Sequence, residues 1–187
     1  MDRKLETVVE GLAFGESPRW RDGVLYFSDV HANRVGRLLP NGHHEFIASF
    51  EGPVSGIGWL PDGRMLVVSM WDKKVLRREP DGSFVTHADI SSLATGHAND
   101  MIVRHDGVAF VGNFGFSLYP PEDPRPAVLA RIDPDGTVSV ADEETYFPNG
   151  MVITPDGKTL ILGESGGACL TAFDLASDGT LSNRREW

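Results

Sequence analysis

The sequence predicts an all-β fold, a β-propeller of four-stranded antiparallel blades, on three observations. A polar residue, a short β-forming run and a glycine turn recur together four times. Each occurrence leads into further apolar runs separated by breaks and a second glycine turn. The first glycine turns fall at Gly23, Gly63, Gly107 and Gly157, a spacing of 40, 44 and 50 residues. Four strands in 40 to 50 residues is the length of a propeller blade, and self-similarity at such a period marks a repeat architecture.

The clearest copy of the unit is 149–157, Asn-Gly-Met-Val-Ile-Thr-Pro-Asp-Gly. Asp-Gly between apolar runs is a hairpin signal, because glycine supplies the positive φ of the turn. The same unit stands at 55–63, at 99–107 and, one residue shorter, at 16–23. Second strands follow at 24–27, 64–69, 108–111 and 158–162, and third strands at 34–39, 74–77, 128–132 and 169–175. The turns Asn41-Gly42, Asp81-Gly82, Asp135-Gly136 and Asp178-Gly179 then lead to fourth runs such as 45–48 and 84–88. Blades are therefore expected at about 11–52, 53–95, 96–145 and 146–187, in one domain covering 1–187. The third unit is longest because 114–125 includes Tyr119-Pro-Pro-Glu-Asp-Pro124, which is unsuited to a central strand and reads as a loop or rim. Residues 5–10 read as a strand ahead of the first blade, of the kind that completes a distant sheet in a closed propeller. The chain reaches Trp187 within the last expected strand.

Composition narrows the function classes. The chain of 187 residues is 41% hydrophobic and 24% charged, with 21 glycines and 12 prolines, as expected of a turn-rich globular protein. No apolar run approaches a membrane span, and no membrane partner is expected. The net charge of -10 argues against nucleic acid as a partner. The single cysteine, Cys169, excludes an internal disulfide and fits a cytoplasmic protein.

Register carries the functional reading. With Trp20, Trp59, Val103 and Ile153 as equivalent marks, the strand-entrance residues are Glu16, Ser55, Asn99 and Asn149. The innermost strands of successive blades run in the same sense, so these four side chains converge at one end of the central channel. Carboxylate and amide oxygens suit a hard cation such as calcium, magnesium or manganese. The plain alternative is that asparagine and serine cap strands and make turns with their own backbone.

Gly15-Glu16-Ser17-Pro18-Arg19-Trp20, Asn99-Asp100, Phe147-Pro-Asn149-Gly150-Met151 and Asp178-Gly-Thr-Leu-Ser-Asn-Arg-Arg185 resemble the SMP-30/gluconolactonase family, across essentially the whole chain. The resemblance implies a six-bladed propeller that hydrolyses small sugar-type lactones at one divalent cation on its axis, calcium ahead of magnesium, manganese or zinc. It makes Glu16, Asn149 and Asn99 the metal ligands, with Asn99 also reaching substrate. His97 takes the place where some members carry a substrate-binding arginine. The family's remaining ligand and proposed general base is an aspartate of a fifth blade, whereas this sequence has about four. The catalytic base is therefore unassigned, and the chain reads either as part of a longer one or as one whose site another copy completes.

Other side chains read as structural. Asp29 and Asp72 fit turns, Glu164 a solvated strand end or a recurrent family position, and Trp20, Trp59 and Trp71 core packing between blades. No Gly-x-Ser-x-Gly elbow is present, which argues against a serine hydrolase. Two functions remain: a metal-dependent lactone hydrolase, and a non-enzymatic propeller scaffold with a structural calcium. An open arc of four blades would leave apolar faces and edges that promote self-association.

Overall fold

The computed structural model describes residues 4–187. It contains sixteen strands in four antiparallel four-stranded sheets, arranged as propeller blades around one axis. Blade one holds β1 (Gly15–Arg21), β2 (Val24–Asp29), β3 (Arg34–Leu38) and β4 (His44–Ser49). Blade two holds β5 (Val54–Trp59), β6 (Met65–Ser69), β7 (Lys74–Arg78) and β8 (Phe84–Asp89). Blade three holds β9 (Ala98–Val103), β10 (Ala109–Asn113), β11 (Ala127–Ile132) and β12 (Val138–Thr145). Blade four holds β13 (Pro148–Ile153), β14 (Thr159–Glu164), β15 (Cys169–Leu175) and β16 (Leu181–Glu186). One three-residue 3-10 turn, Val30–Ala32, is the helix among the described residues, and none is long and apolar enough to cross a membrane.

Within each blade the strands pair in sequence order, because every connection is a short antiparallel return. Between blades, period-2 alternation sends successive side chains of one strand to opposite neighbours. In β6, Val67 packs with Val35 of blade one, whereas Leu66 and Val68 pack with Met101 and Val111 of blade three. In β10, Val111 faces blade two and Phe110 packs with Leu160, Leu162 and Phe173 of blade four. Each fully buried Leu, Ile or Val contributes about 1.5–3 kcal/mol, so these layers hold the blades together.

Three such cores join one to two, two to three and three to four. Among the described residues none joins blade four to blade one. The strands record this: β6 and β10 are buried along their whole length, while β14 alternates buried Leu160, Leu162 and Glu164 with half-buried Thr159, Ile161 and Gly163.

Two expectations are corrected. Residues 5–10 form no strand, and Leu5 and Val8 are exposed, since a strand without a sheet to pair with has no ladder to order it. Trp20 and Trp71 are exposed rather than packed between blades. Trp59 alone of the three packs in a core, edge-on to Tyr26 at 4.9 Å between ring centroids.

Candidate functional site

All four inner strands carry the same irregularity near their entrance. Three steps along the inner strand face two steps along its neighbour: Glu16 to Arg19, Val54 to Ile57, Ala98 to Met101 and Pro148 to Met151. This is one extra residue per strand, a β-bulge, which lifts side chains out of the ladder and re-aims them. The bulges hold Ser17-Pro18, Ser55-Gly56, Asn99-Asp100 and Asn149-Gly150. Ser55, Asn99 and Asn149 are thus equivalent, as expected from the sequence.

Blade one departs from the expected register by one residue. By ladder position Ser17 is the counterpart of Ser55, Asn99 and Asn149, and Glu16 stands one step earlier, paired with Ser28. The discrepancy arises at the far end of the strand. There β1 and β2 are joined by a two-residue turn, Asp22-Gly23, with φ of 50° and 79°, whereas the other inner hairpins use longer loops. Counting back from glycine therefore loses a residue. Within the blade-one bulge Ser17 has a φ of 50°, in the left-handed region, which costs a residue other than glycine about 1–2 kcal/mol.

Hydrogen bonds hold the two asparagines, one across blades and one within blade four. The Asn99 amide nitrogen donates to the Pro148 carbonyl at 3.0 Å, and the Asn149 amide nitrogen to Ser165 Oγ at 3.1 Å. Neither Asn Oδ1 accepts a hydrogen bond among the described residues, nor does the Glu16 carboxylate. With each amide nitrogen bonded to one protein acceptor, the amides leave their oxygens as available lone pairs. One carboxylate and two amide oxygens are hard donors of the kind calcium or magnesium takes, and they number three of the six to eight that calcium needs. Among the described residues no group of three or more His, Cys, Asp or Glu side chains is placed to hold an ion.

Sequence reasoning assigned no role to Asp100, although the structure buries it at this end of the channel. Its Oδ1 accepts from Ser17 Oγ at 2.8 Å, from Arg19 Nη2 at 2.7 Å and from the Met101 backbone N–H at 2.8 Å. Arg19 also donates to the Met101 carbonyl at 2.5 Å, and Ser17 Oγ lies 3.4 Å from Ser55 Oγ. Blade one is thereby bonded to blade three past blade two. The signal available in the sequence was an aspartate beside Asn99 inside an inner strand whose other residues are apolar. Below the bulges a cleft of about 570 Å³ runs between the inner strands, lined by Arg19, Trp20, Ile57, Trp59, Val103 and Val152 among others. Glu16, Asn99 and Asn149 do not line it.

His97 lies just before β9, two residues ahead of Asn99 and exposed. Its ring stands 6.4 Å from Trp71 and 5.8 Å from Phe114, which in turn stacks on Phe147 at 4.3 Å. Partial desolvation of the imidazole, although the residue as a whole is exposed, and then Lys73 nearby hold its pKa below the ordinary value, which favours the neutral form.

The carboxylates that end the second strands are latches, which corrects their reading as turn or solvated residues. Asp29 is fully buried and accepts from the Ala13 and Phe14 N–H groups, both at 2.8 Å, and from Arg34 at 3.0 and 2.8 Å. Burial alone would raise its pKa, but these bonds outweigh it and hold the group below the ordinary value. Glu164, also buried, accepts from the Tyr146 N–H at 2.7 Å, Thr171 at 2.5 Å and Arg184 at 2.8 Å. Asn113 does the same for Gly96 and Gly115, at 3.3 and 2.9 Å. Asp72 does fit its turn, accepting from Ser69 at 2.7 Å.

A family model described as SMP-30/Gluconolactonase/LRE-like region matches residues 14–187. A pentonolactonase of Haloferax volcanii is 29% identical over 154 residues, covering 81% of this chain and 50% of that protein. A gluconolactonase of Zymomonas mobilis is 23% identical, covering 96% of this chain and 57% of that protein. The chain thus spans about half the length of the curated relatives it matches. Among solved structures, a gluconolactonase from Xanthomonas campestris superposes with a TM-score of 0.81 at 24% identity, over 96% of this chain and 64% of the other. The calcium-binding protein regucalcin from Agrobacterium tumefaciens gives 0.77 at 18%, over 97% and 60%. At these identities the structures establish the fold.

Proposed function

The chain belongs to the SMP-30/gluconolactonase/LRE-like family, and from that premise we propose that it serves as a divalent-metal-dependent hydrolase of small sugar-type lactones. The observation that carries the reading is the set of unengaged oxygens on Glu16, Asn99 and Asn149, presented by equivalent bulges or, for Glu16, immediately beside one. A bound divalent cation, calcium first, supplies polarisation of the lactone carbonyl and a lower pKa for water. The chain's own residues hold and orient. Glu16 contributes the charge, while Asn99 and Asn149, being neutral, leave the cation more positive than a cage of carboxylates would. The bonded nitrogens of the two amides fix which way their oxygens face. His97, favoured in its neutral form and set among aromatic rings, offers the substrate a hydrogen-bonding group beside Asn99. The general base is left unassigned, because the family's fifth-blade aspartate has no counterpart in these four blades. The free thiol of Cys169 is consistent with a cytoplasmic setting.

Hydrolysis of glucono-δ-lactone with calcium, and with calcium removed by chelator, tests the reading. Activity that disappears with chelator and falls about 100-fold in Glu16→Gln, the upper end for loss of a metal-supporting partner, is the expected result. Cation binding without hydrolysis would turn the site into a structural one on a binding scaffold. Absence of both would end the metal-site reading.

A further inference from the structure

We infer that Asp100 is a positioning residue for the axial carboxylate: through Ser17 it fixes where Glu16 stands, and so ties the blade-one donor to Asn99 on blade three. This rests on the cation-site reading above. Glu16 accepts no hydrogen bond among the described residues, so its direction is set by its backbone and not by any bond to its own carboxylate. That backbone is unusual at one point, the left-handed φ of 50° at Ser17. A serine stays in that region only where its surroundings hold it there.

What holds it is visible. Ser17 is 1% exposed and Asp100 4%, and the Ser17 hydroxyl donates to Asp100 Oδ1 at 2.8 Å. The same oxygen is fixed from two further sides, by Arg19 and by the Met101 N–H of its own strand. Asp100 is also the residue after Asn99 on one bulge. One two-residue step of blade three therefore presents Asn99 to the cation and, with its neighbour, sets the placement of the only carboxylate in the donor set. Partners that orient metal ligands in this way are typically worth 10- to 100-fold in metal affinity.

A network that only stapled blade one to blade three would share these distances, and Ser17→Gly separates the two roles. Glycine adopts the left-handed conformation freely, so the variant keeps the backbone path without strain, yet it lacks the hydroxyl that locks the path. The experiment is a terbium(III) luminescence titration, with terbium standing in for calcium, on the full chain and on Glu16→Gln, Ser17→Gly, Asp100→Ala and Asp100→Asn, with thermal unfolding measured in parallel. Ser17→Gly and Asp100→Ala are expected to bind about 10- to 100-fold more weakly. Ser17→Gly is expected to unfold no earlier than the parent. Asp100→Asn keeps an acceptor oxygen at the Oδ1 position and is expected to recover most of the affinity. Parent-like binding by Ser17→Gly overturns the inference, as does an Asp100→Asn variant as weak as Asp100→Ala, which would make charge and not orientation the contribution. Should Asp100→Ala fail to fold, Ser17→Gly decides alone. A parent chain that binds no terbium defeats the cation-site reading and this inference with it, whereas tight binding by both parent and Ser17→Gly defeats this inference only.

Discussion

The two ends of the propeller are built by different chemistry. At the end where the inner hairpins and the third-to-fourth-strand turns close, seven connections repeat one device. Asn41, Asp62, Asp81, Asp106, Asp135, Asp156 and Asp178 each accept from the N–H two residues on, at 2.9 to 3.2 Å. Each is followed by a glycine with φ between 71° and 94°. At the opposite end the connections close over much longer separations. Asp29 clasps residues 15 and 16 positions away, Asn113 reaches 17 back to Gly96, Glu164 reaches 18 back to Tyr146, and Ser17 meets Asp100 across 83. The candidate donors all stand at this second end. Turns that close on themselves keep the repeat in shape at the first end, and the second is where side chains from different blades are brought together.

If that contrast is right, a latch residue matters far more than a turn residue. Asp29→Ala removes the buried acceptor of two backbone N–H groups and leaves Arg34 beside them unpaired, which should destabilise the fold by about 3 kcal/mol, the lower end for breaking a buried pair since Arg34 is partly exposed. Gly157→Ala probes the other end. Nothing lies within 4 Å of where its Cβ would sit, so only the φ of 71° opposes the change, at about 1 kcal/mol. Urea unfolding of both variants ranks them, and equal losses would break the comparison.

The same contrast explains what could be read from the sequence. Blade number, strand order and the turn end were legible because Asp-Gly chemistry acts over two or three residues and recurs at a period. The equivalence of Ser55, Asn99 and Asn149 was legible for the same reason. Blade one was misaligned by one residue because its Asp22-Gly23 turn is shorter, and a count from the glycine carries that difference to the entrance. Asp29 and Glu164 were misread because the groups that bury them are remote in sequence or bond through the backbone, which leaves no side-chain signature. Asp100 sat in view beside Asn99, but its partners Ser17 and Arg19 lie on another blade. Residues 5–10 have the composition of a strand, and composition does not supply a partner.

Acid titration sharpens the comparison most finely, because the groups at the turn end titrate in two separate windows. Side-chain hydrogen bonds from Arg64, Ser83 and Thr154 lower the pKa values of Asp62, Asp81 and Asp156, and backbone N–H bonds from Thr137 and Thr180 lower those of Asp135 and Asp178. A carboxyl held below its unfolded value of 3.8 contributes stability that is complete above that pH and is lost as pH falls through the folded value. All five are exposed, so each share is small. His87 is the exception at this end, a buried imidazole in β8 whose Nε2 has no partner among the described residues and whose Nδ1 lies 3.4 Å from Arg77. Burial, then Arg77 and Arg64, lower its pKa against the opposing pull of Asp135. The unfolded chain therefore takes up a proton at 6.5 that the folded one resists, and stability declines as pH falls from 6.5 towards the folded value. Urea midpoints measured from pH 7 downwards should fall first in this upper window and again below 3.8, and His87→Gln should lessen the first decline, to which His97 also contributes, while leaving the second.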